Sequence, residues 1–362
     1  MMLSNSAAAT APGERPKILV IRRDNIGDLV CTTPVFAALR ARFPQAWIAA
    51  LVNRYSAPVL ENNTDLDAVF SYRKAKHRAR GEWALGLYWE RLRLLLALRR
   101  RSIDYAILAS PGYQASAERL ARLVKPLHTV GFDNGSKLAD LRVPARTDRP
   151  LHQVQNTFRL LGALGIEGPP PPLKLAPDPR LVEHCRKQLP ASGEIVVGVH
   201  ISAREADRRW SDANFIELIR ALVADRRVAV LLTWSPGARD NPLFPGDDDS
   251  AKRIAAAGAG ERLVALPTPE LSQLIASLAV CDCVVCSDGA AVHLGSALGK
   301  PIVCLFGSES PQRWHPWGVP YRLLQPASRD VRDIGVDEVR HAFAALLAEI
   351  RIDRPGTAAG RS

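Results

Sequence analysis

The sequence predicts an α/β protein of two domains, each a parallel sheet with helices on both faces. Three observations carry that expectation. Short apolar runs alternate with helix-length amphipathic stretches along most of the chain. A proline run, Gly168-Pro169-Pro170-Pro171-Pro172, interrupts the pattern near its middle and cannot continue a helix. The total of 362 residues suits two domains of ordinary size.

In the first half, strands are expected at residues 18–22, 47–52, 68–70, 105–109 and 129–132, with helices at 34–43, 89–100, 115–123 and 151–164. The second half repeats the alternation. Its strands fall at 195–200, 228–233, 263–266, 283–287 and 302–306, and its helices at 212–224, 269–278 and 291–298. The resulting division is a disordered tail over 1–16, a first domain over 17–168, a linker over 169–190 and a second domain over 191–335. A closing amphipathic helix follows at 336–352, and a second disordered tail at 353–362. Sheets of this kind bind ligands at the carboxyl ends of their strands, in a cleft expected between the two domains.

Composition narrows the class. The chain is 47% hydrophobic and 23% charged, which argues against disorder and against a membrane-embedded protein. No apolar stretch approaches the roughly 20 residues of a spanning helix, and the start lacks the pattern of a secretory signal, so a cytoplasmic protein is expected. The net charge of +11 lies entirely in residues 1–168, and the remainder is balanced. Such asymmetry suits an anionic partner: a phosphorylated lipid, a nucleic acid or a membrane surface. Nucleic acid is disfavoured, because the 6% of aromatic residues do not interleave with the basic run. Cys281, Cys283 and Cys286 invite a zinc reading with His293. If residues 283–287 form a strand, however, Cys281 and Cys283 face away from Cys286 and cannot close one tetrahedral site. No metal and no cofactor are expected.

Three segments carry chemistry. Ile21-Arg22-Arg23-Asp24-Asn25-Ile26-Gly27-Asp28 runs off the first strand. Gly27 permits a sharp turn, and Asp28 is expected at the strand's carboxyl end, facing the cleft. There it can serve as a general base or cap a helix. Thr33-Pro34 has the form of a cap followed by proline at the first helical position. No G-x-G-x-x-G follows the strand, which removes the main support for a hydride-transfer enzyme. The second segment, Ser287-Asp288-Gly289-Ala290-Ala291-Val292-His293, joins a buried strand to a helix. Its small residues let a phosphate approach amide N–H groups, although a plain strand-to-helix turn has the same form. The third is His200-Ile201-Ser202-Ala203-Arg204, then Asp207-Arg208-Arg209-Trp210. A hydroxyl and guanidinium groups there can hold a diphosphate, or lie in a solvated charged loop.

With their spacing, these segments resemble the lipopolysaccharide heptosyltransferases, glycosyltransferase family 9. The match is most specific over K-I-L-V-I-R-R-D-N-I-G-D-L-V-C-T-T-P and D-G-A-A-V-H-L-G-S-A-L-G-K-P-I-V-C-L-F-G, and runs from about Lys17 to about Gly318. The resemblance implies the GT-B architecture of two Rossmann-like domains facing a cleft, the first binding acceptor and the second ADP-heptose. It also implies an inverting, metal-independent transfer onto a lipopolysaccharide core acceptor, with Asp28 as base. Arg208 falls at a basic position beside the donor phosphates. Ser202 and Ala203 match a hydroxyl pair, one hydroxyl being absent here. Asp288, Gly289, Ala290, Ala291 and His293 match the donor loop, and Asp240 matches less well an acidic residue on the donor ribose. Arg204 is assigned to the donor side with them. The substitutions at Ala203 and Ala290 motivate an alternative, a non-catalytic nucleotide-sugar-binding module of the same fold.

On the acceptor side, Asn25 and Gly27 are expected beside Asp28, and the basic stretch holding Arg73, Lys76, Arg78 and Arg80 can grip phosphates of a glycolipid or remain solvated. Residues 91–101 form a basic helix whose leucines suit core packing with snorkelling arginines, or contact with the inner membrane surface. Asp65-Leu66-Asp67 and Asp247-Asp248-Asp249 fit a metal-binding D-x-D by letter but read as surface turns.

Overall fold

The apolar runs pair as parallel strands in two separate sheets. A computed structural model describes residues 13, 15–73, 84–110, 112–190, 194–241, 245–257 and 260–352. The chain divides into two compact units, one ending at Pro172 and the other beginning at Leu173.

In the first unit the strands are β1 (Lys17–Arg22), β2 (Trp47–Asn53), β3 (Ala68–Tyr72), β4 (Tyr105–Leu108), β5 (His128–Phe132) and β6 (Leu141–Val143). They lie in the order β3-β2-β1-β4-β5-β6, every pair parallel. Helices α1 (Ile26–Val30), α2 (Thr33–Arg42), α3 (Ala84–Arg100), α4 (Ala115–Val124) and α5 (Gln153–Phe158) connect and follow them. Ile18, Leu19, Val20 and Ile21 are all fully buried, which explains a continuous apolar run where a one-sided sheet would alternate. Leu95 and Leu98 of α3 and Leu120 and Val124 of α4 pack with Leu19, Ile21 and Leu51.

The second unit opens with α6 (Pro179–Gln188), inside the stretch expected as a linker. Its proline occupies the first helical position, where no N–H is needed, and Asp178 caps it by accepting from Arg180 N at 2.8 Å. The strands are β7 (Ile195–His200), β8 (Val228–Trp234), β9 (Leu263–Pro267), β10 (Cys283–Ser287), β11 (Ile302–Leu305) and β12 (Tyr321–Leu324). Their order is β12-β11-β10-β7-β8-β9, again all parallel. The remaining helices are α7 (Asp212–Ala224), α8 (Asp248–Ala257), α9 (Leu271–Ala279), α10 (Ala290–Ala297), α11 (Pro311–Trp314) and α12 (Val336–Ile352). Leu218 and Leu222 of α7 and Val339, Phe343 and Leu346 of α12 bury against Val197, Val199 and Val230. Each such side chain contributes about 1.5–3 kcal/mol of transfer free energy.

Read from its other edge, the second sheet runs β9-β8-β7-β10-β11-β12, the same doubly wound order as the first. Both sheets therefore reverse direction beside their first strand, between β1 and β4 in one and between β7 and β10 in the other. Ligands of open α/β sheets bind at the carboxyl ends of the strands at that switch point.

Four local expectations change. Gly27 and Asp28 lie inside α1 rather than in a turn, and α2 starts at Thr33, so Pro34 is its second residue. Asp247-Asp248-Asp249 is no surface turn: Asp247 is buried, 2.5 Å from Arg209 Nη1, and α8 starts at the next residue. Cys281 precedes β10, so strand alternation does not govern it. A Cβ on Gly198 would come within 2.7 Å of Cys281 Sγ, whereas Cys283 packs with Val197 and Val199 on the opposite face. Among the described residues no cluster of His, Cys, Asp or Glu is arranged to hold a metal ion.

Candidate active site

At the switch point of the first sheet, the end of β1 meets the end of β4. Arg22, the last residue of β1, is fully buried. Its Nη2 donates to Asp28 Oδ1, its Nε lies 3.2 Å from Asp24 Oδ2, and Nη1 has no hydrogen-bond partner among the described residues. The second Asp28 oxygen accepts from Asn25 N at 3.1 Å, holding the carboxylate against the positive end of α1. Asp24 is tied across the switch point: Ser110 Oγ donates to its Oδ2 at 3.1 Å and Gln114 Nε2 to its Oδ1. From the other side Tyr55 Oη donates to Asp24 O at 2.8 Å.

Asp28 is thus both capped and ion-paired, 9% exposed, with Asn25 exposed and Gly27 buried beside it. Arg73 is exposed just beyond β3. Lys76, Arg78 and Arg80 lie outside the described residues. Arg22, Asp24, Ser110 and Gln114 were not singled out from the sequence, although Arg22 and Asp24 fall inside the segment that was. The available signal was a charged pair directly off an otherwise apolar strand.

The switch point of the second sheet holds the other half of the chemistry. The loop after β7 returns to β10 and β11 through Asp207, whose Oδ2 accepts from Ser308 N at 2.9 Å. Gly307 is required for this approach, since a Cβ there would fall 2.7 Å from Asp207 O. The packing seats Arg208 with Nη1 3.2 Å from Asp288 Oδ2 and Nη2 2.9 Å from Glu309 Oε1. Burial pushes the Asp288 carboxyl up to about 6; Arg208 pulls it down, while Glu309 and Asp207 add to the rise. Burial also raises Asp207, but its hydrogen bonds from Ser308 outweigh that and leave it lowered.

Beside Asp288, Gly289 occupies the position before α10. A Cβ on Gly289 would meet nothing closer than Ser287 O at 3.9 Å, so internal packing does not demand a glycine there. Ala290 is half-buried and Ala291 buried. His293, buried on α10, has its pKa driven down to about 4 by burial and by His315, and meets Trp314 edge-on at 5.6 Å. Ser202 Oγ accepts from Ser235 N at 2.9 Å, joining the loops after β7 and β8, and Ala203 is buried. Arg204 and Asp240 are exposed on those two loops. Asp207 and Glu309, which complete the surroundings of Arg208, were not foreseen; Glu309 comes from a loop 101 residues away in sequence.

The sequence pattern of Glycosyltransferase family 9 (heptosyltransferase) matches residues 91–330. Lipopolysaccharide heptosyltransferase 3 of Escherichia coli is 25% identical over 334 residues, 90% of this chain and 92% of that protein. Among solved structures, a family 9 glycosyl transferase from Veillonella parvula superposes with a TM-score of 0.78 at 17% identity, covering 94% of this chain and 100% of that one. E. coli heptosyltransferase WaaC with ADP superposes with a TM-score of 0.73 at 20% identity, covering 91% and 99%. These likenesses show the α/β GT-B fold.

Proposed function

Because the chain belongs to glycosyltransferase family 9, the heptosyltransferases, we propose that it transfers a heptose or related sugar from ADP-heptose to a lipopolysaccharide core acceptor. The observation that carries this reading is the chemistry at the two switch points. In one unit the buried arginine that ends β1 holds the Asp28 carboxylate, and in the other a half-buried arginine on the loop after β7 pairs with Asp288 beside an open helix start.

In this reading Asp28 is the general base. Arg22 and Asn25 N each take one lone pair of its carboxylate, and a carboxylate retains further acceptor sites for a sugar hydroxyl. Asp24, held by Ser110 and Gln114, anchors Arg22. The deprotonated hydroxyl attacks the anomeric carbon as the bond to the diphosphate breaks, inverting configuration. Arg208 and the first N–H groups of α10 meet the negative charge that develops on ADP. No step requires a metal ion. Asp240 is assigned to the ribose, and Arg73, Lys76, Arg78 and Arg80 to acceptor phosphates.

The acceptor side also suits a membrane surface. Trp89, Leu92 and Leu96 of α3 are exposed at helical spacing on one face, with Arg93, Arg99 and Arg100 exposed among them. Leu123 and Leu127, on and just beyond the neighbouring α4, are exposed as well. An apolar stripe flanked by arginines fits an anionic bilayer. No helix among the described residues is long and apolar enough to cross one.

Turnover with ADP-heptose and a lipid-core acceptor tests the base. Asp28→Asn keeps an acceptor for Arg22 and is expected to lower kcat by about 10²- to 10⁴-fold with ADP affinity unchanged. A retained rate removes Asp28 from that role. Donor binding without turnover by the unaltered chain, across a panel of acceptors, supports the non-catalytic module instead.

A further inference from the structure

The donor site proposed above gathers three carboxylates, those of Asp288, Glu309 and Asp207, around the guanidinium of Arg208. Arg208 contacts Asp288 on one side and Glu309 on the other, and Asp207 precedes it in the chain. A diphosphate entering that field meets like charge, which costs affinity wherever it is not relieved.

The two partners of Arg208 differ in depth. The Asp288 side chain is 5% exposed, and that of Glu309 is 40% exposed. Asp288 is therefore the deep anchor, and Glu309 occupies the outward guanidinium nitrogen, the one an arriving phosphate oxygen can reach. The Glu309 backbone is fixed independently of its side chain. Gln325 Nε2 donates to Glu309 O at 2.9 Å and to Gly307 O at 2.6 Å, so the carboxylate can leave Arg208 by rotation about its own bonds while the loop stays in place.

Resting on that reading of the donor site, we propose that Glu309 is a displaceable anion: it holds Arg208 extended when no nucleotide is bound and yields Nη2 to a diphosphate oxygen. When the sugar has been transferred, the same carboxylate competes with ADP for Arg208 and speeds its departure. Glu309 is thus a positioning residue that sets donor affinity and product release without touching the sugar.

Titration calorimetry of the full chain with ADP tests this, using Glu309→Gln, Glu309→Ala and Arg208→Ala, each first checked for an unchanged far-UV spectrum and a cooperative thermal transition. Both Glu309 variants are expected to bind ADP about three- to tenfold more tightly, to release it more slowly, and to lower the donor KM more than they change kcat. Unchanged or weaker binding in both overturns the proposal. A supporting role in packing alone predicts neutrality for Gln and weakening for Ala, which also overturns it. Arg208→Ala separates the two levels of argument. If it leaves ADP affinity intact, the donor-site reading itself fails; if it weakens binding while the Glu309 variants do not strengthen it, only the displaceable anion is lost.

Discussion

Two imidazoles in the second unit are buried as neutral groups. His200, whose Nδ1 lies 3.0 Å from Thr233 Oγ1, has its pKa pushed by burial down to about 4, and His293 is lowered to about the same value. Each folded-state value lies below the unfolded one, so the unfolded chain binds more protons between about pH 6.5 and 4. Stability is therefore present above pH 6.5 and falls as the pH drops through that window, by about 3 kcal/mol per histidine at the limit. Asp288 works oppositely. Its raised value means the folded chain takes up a proton first, adding stability as the pH falls from about 6 toward 4. Two histidines outweigh one aspartate, so the net slope is acid-labile. Thermal midpoints between pH 7 and 4.5 should fall steeply, and His200→Gln should flatten the fall; an unchanged slope would show that His200 charges without cost. At this scale the sequence was legible in part. Asp28 and Asp288 stood out because each follows an apolar strand. Arg22 and its two aspartates lie no more than six positions apart, so only the depth of their burial was hidden; that Glu309 would meet Arg208 depends on which strands become neighbours and left no local trace.

Among the elements, α3 separates two readings of one leucine-rich helix. Leu95 and Leu98 enter the core, while Leu92 and Leu96 remain exposed, so the helix packs on one side and presents an apolar stripe on the other. Replacing Leu92 and Leu96 together by Ser should weaken sedimentation with phosphatidylglycerol-containing vesicles by on the order of tenfold or more, with ADP binding untouched. Equal sedimentation of the variant would assign the contact to charge alone or to another face. The long apolar runs gave correct strands because full burial on both sheet faces leaves an unmistakable composition. The expected elements missed β6 and β12, the last strands at their sheet edges, of three and four residues, too short for a period to register. Besides the short α1 and α11, they also missed two helices of 10 residues, α6 and α8. The first follows a proline run that reads as linker, and the second begins with aspartates whose partners, Trp234 and Gly237 for Asp248, lie 14 and 11 residues back at the end of β8 and on the loop after it.

Across the whole molecule, one strand order occurs twice, and in both units the polar groups of interest cluster beside the first strand. The repeated architecture was visible as alternation; the common order, which places each site, was not, since pairing between distant strands leaves no local trace. All six cysteines are buried and reduced, and burial raises the thiol of every one. A thiolate is the reactive form, so alkylating reagents should modify none of them in native buffer during the time that denatured protein takes up six labels, as intact-mass spectrometry would register. Rapid labelling under native conditions would contradict this enclosure. Cys31 belongs to the first unit and the other five to the second. Peptide-resolved alkylation at intermediate denaturant thus turns the native thiols into two built-in clocks, which report, without any engineered probe, whether the halves come apart together or in turn.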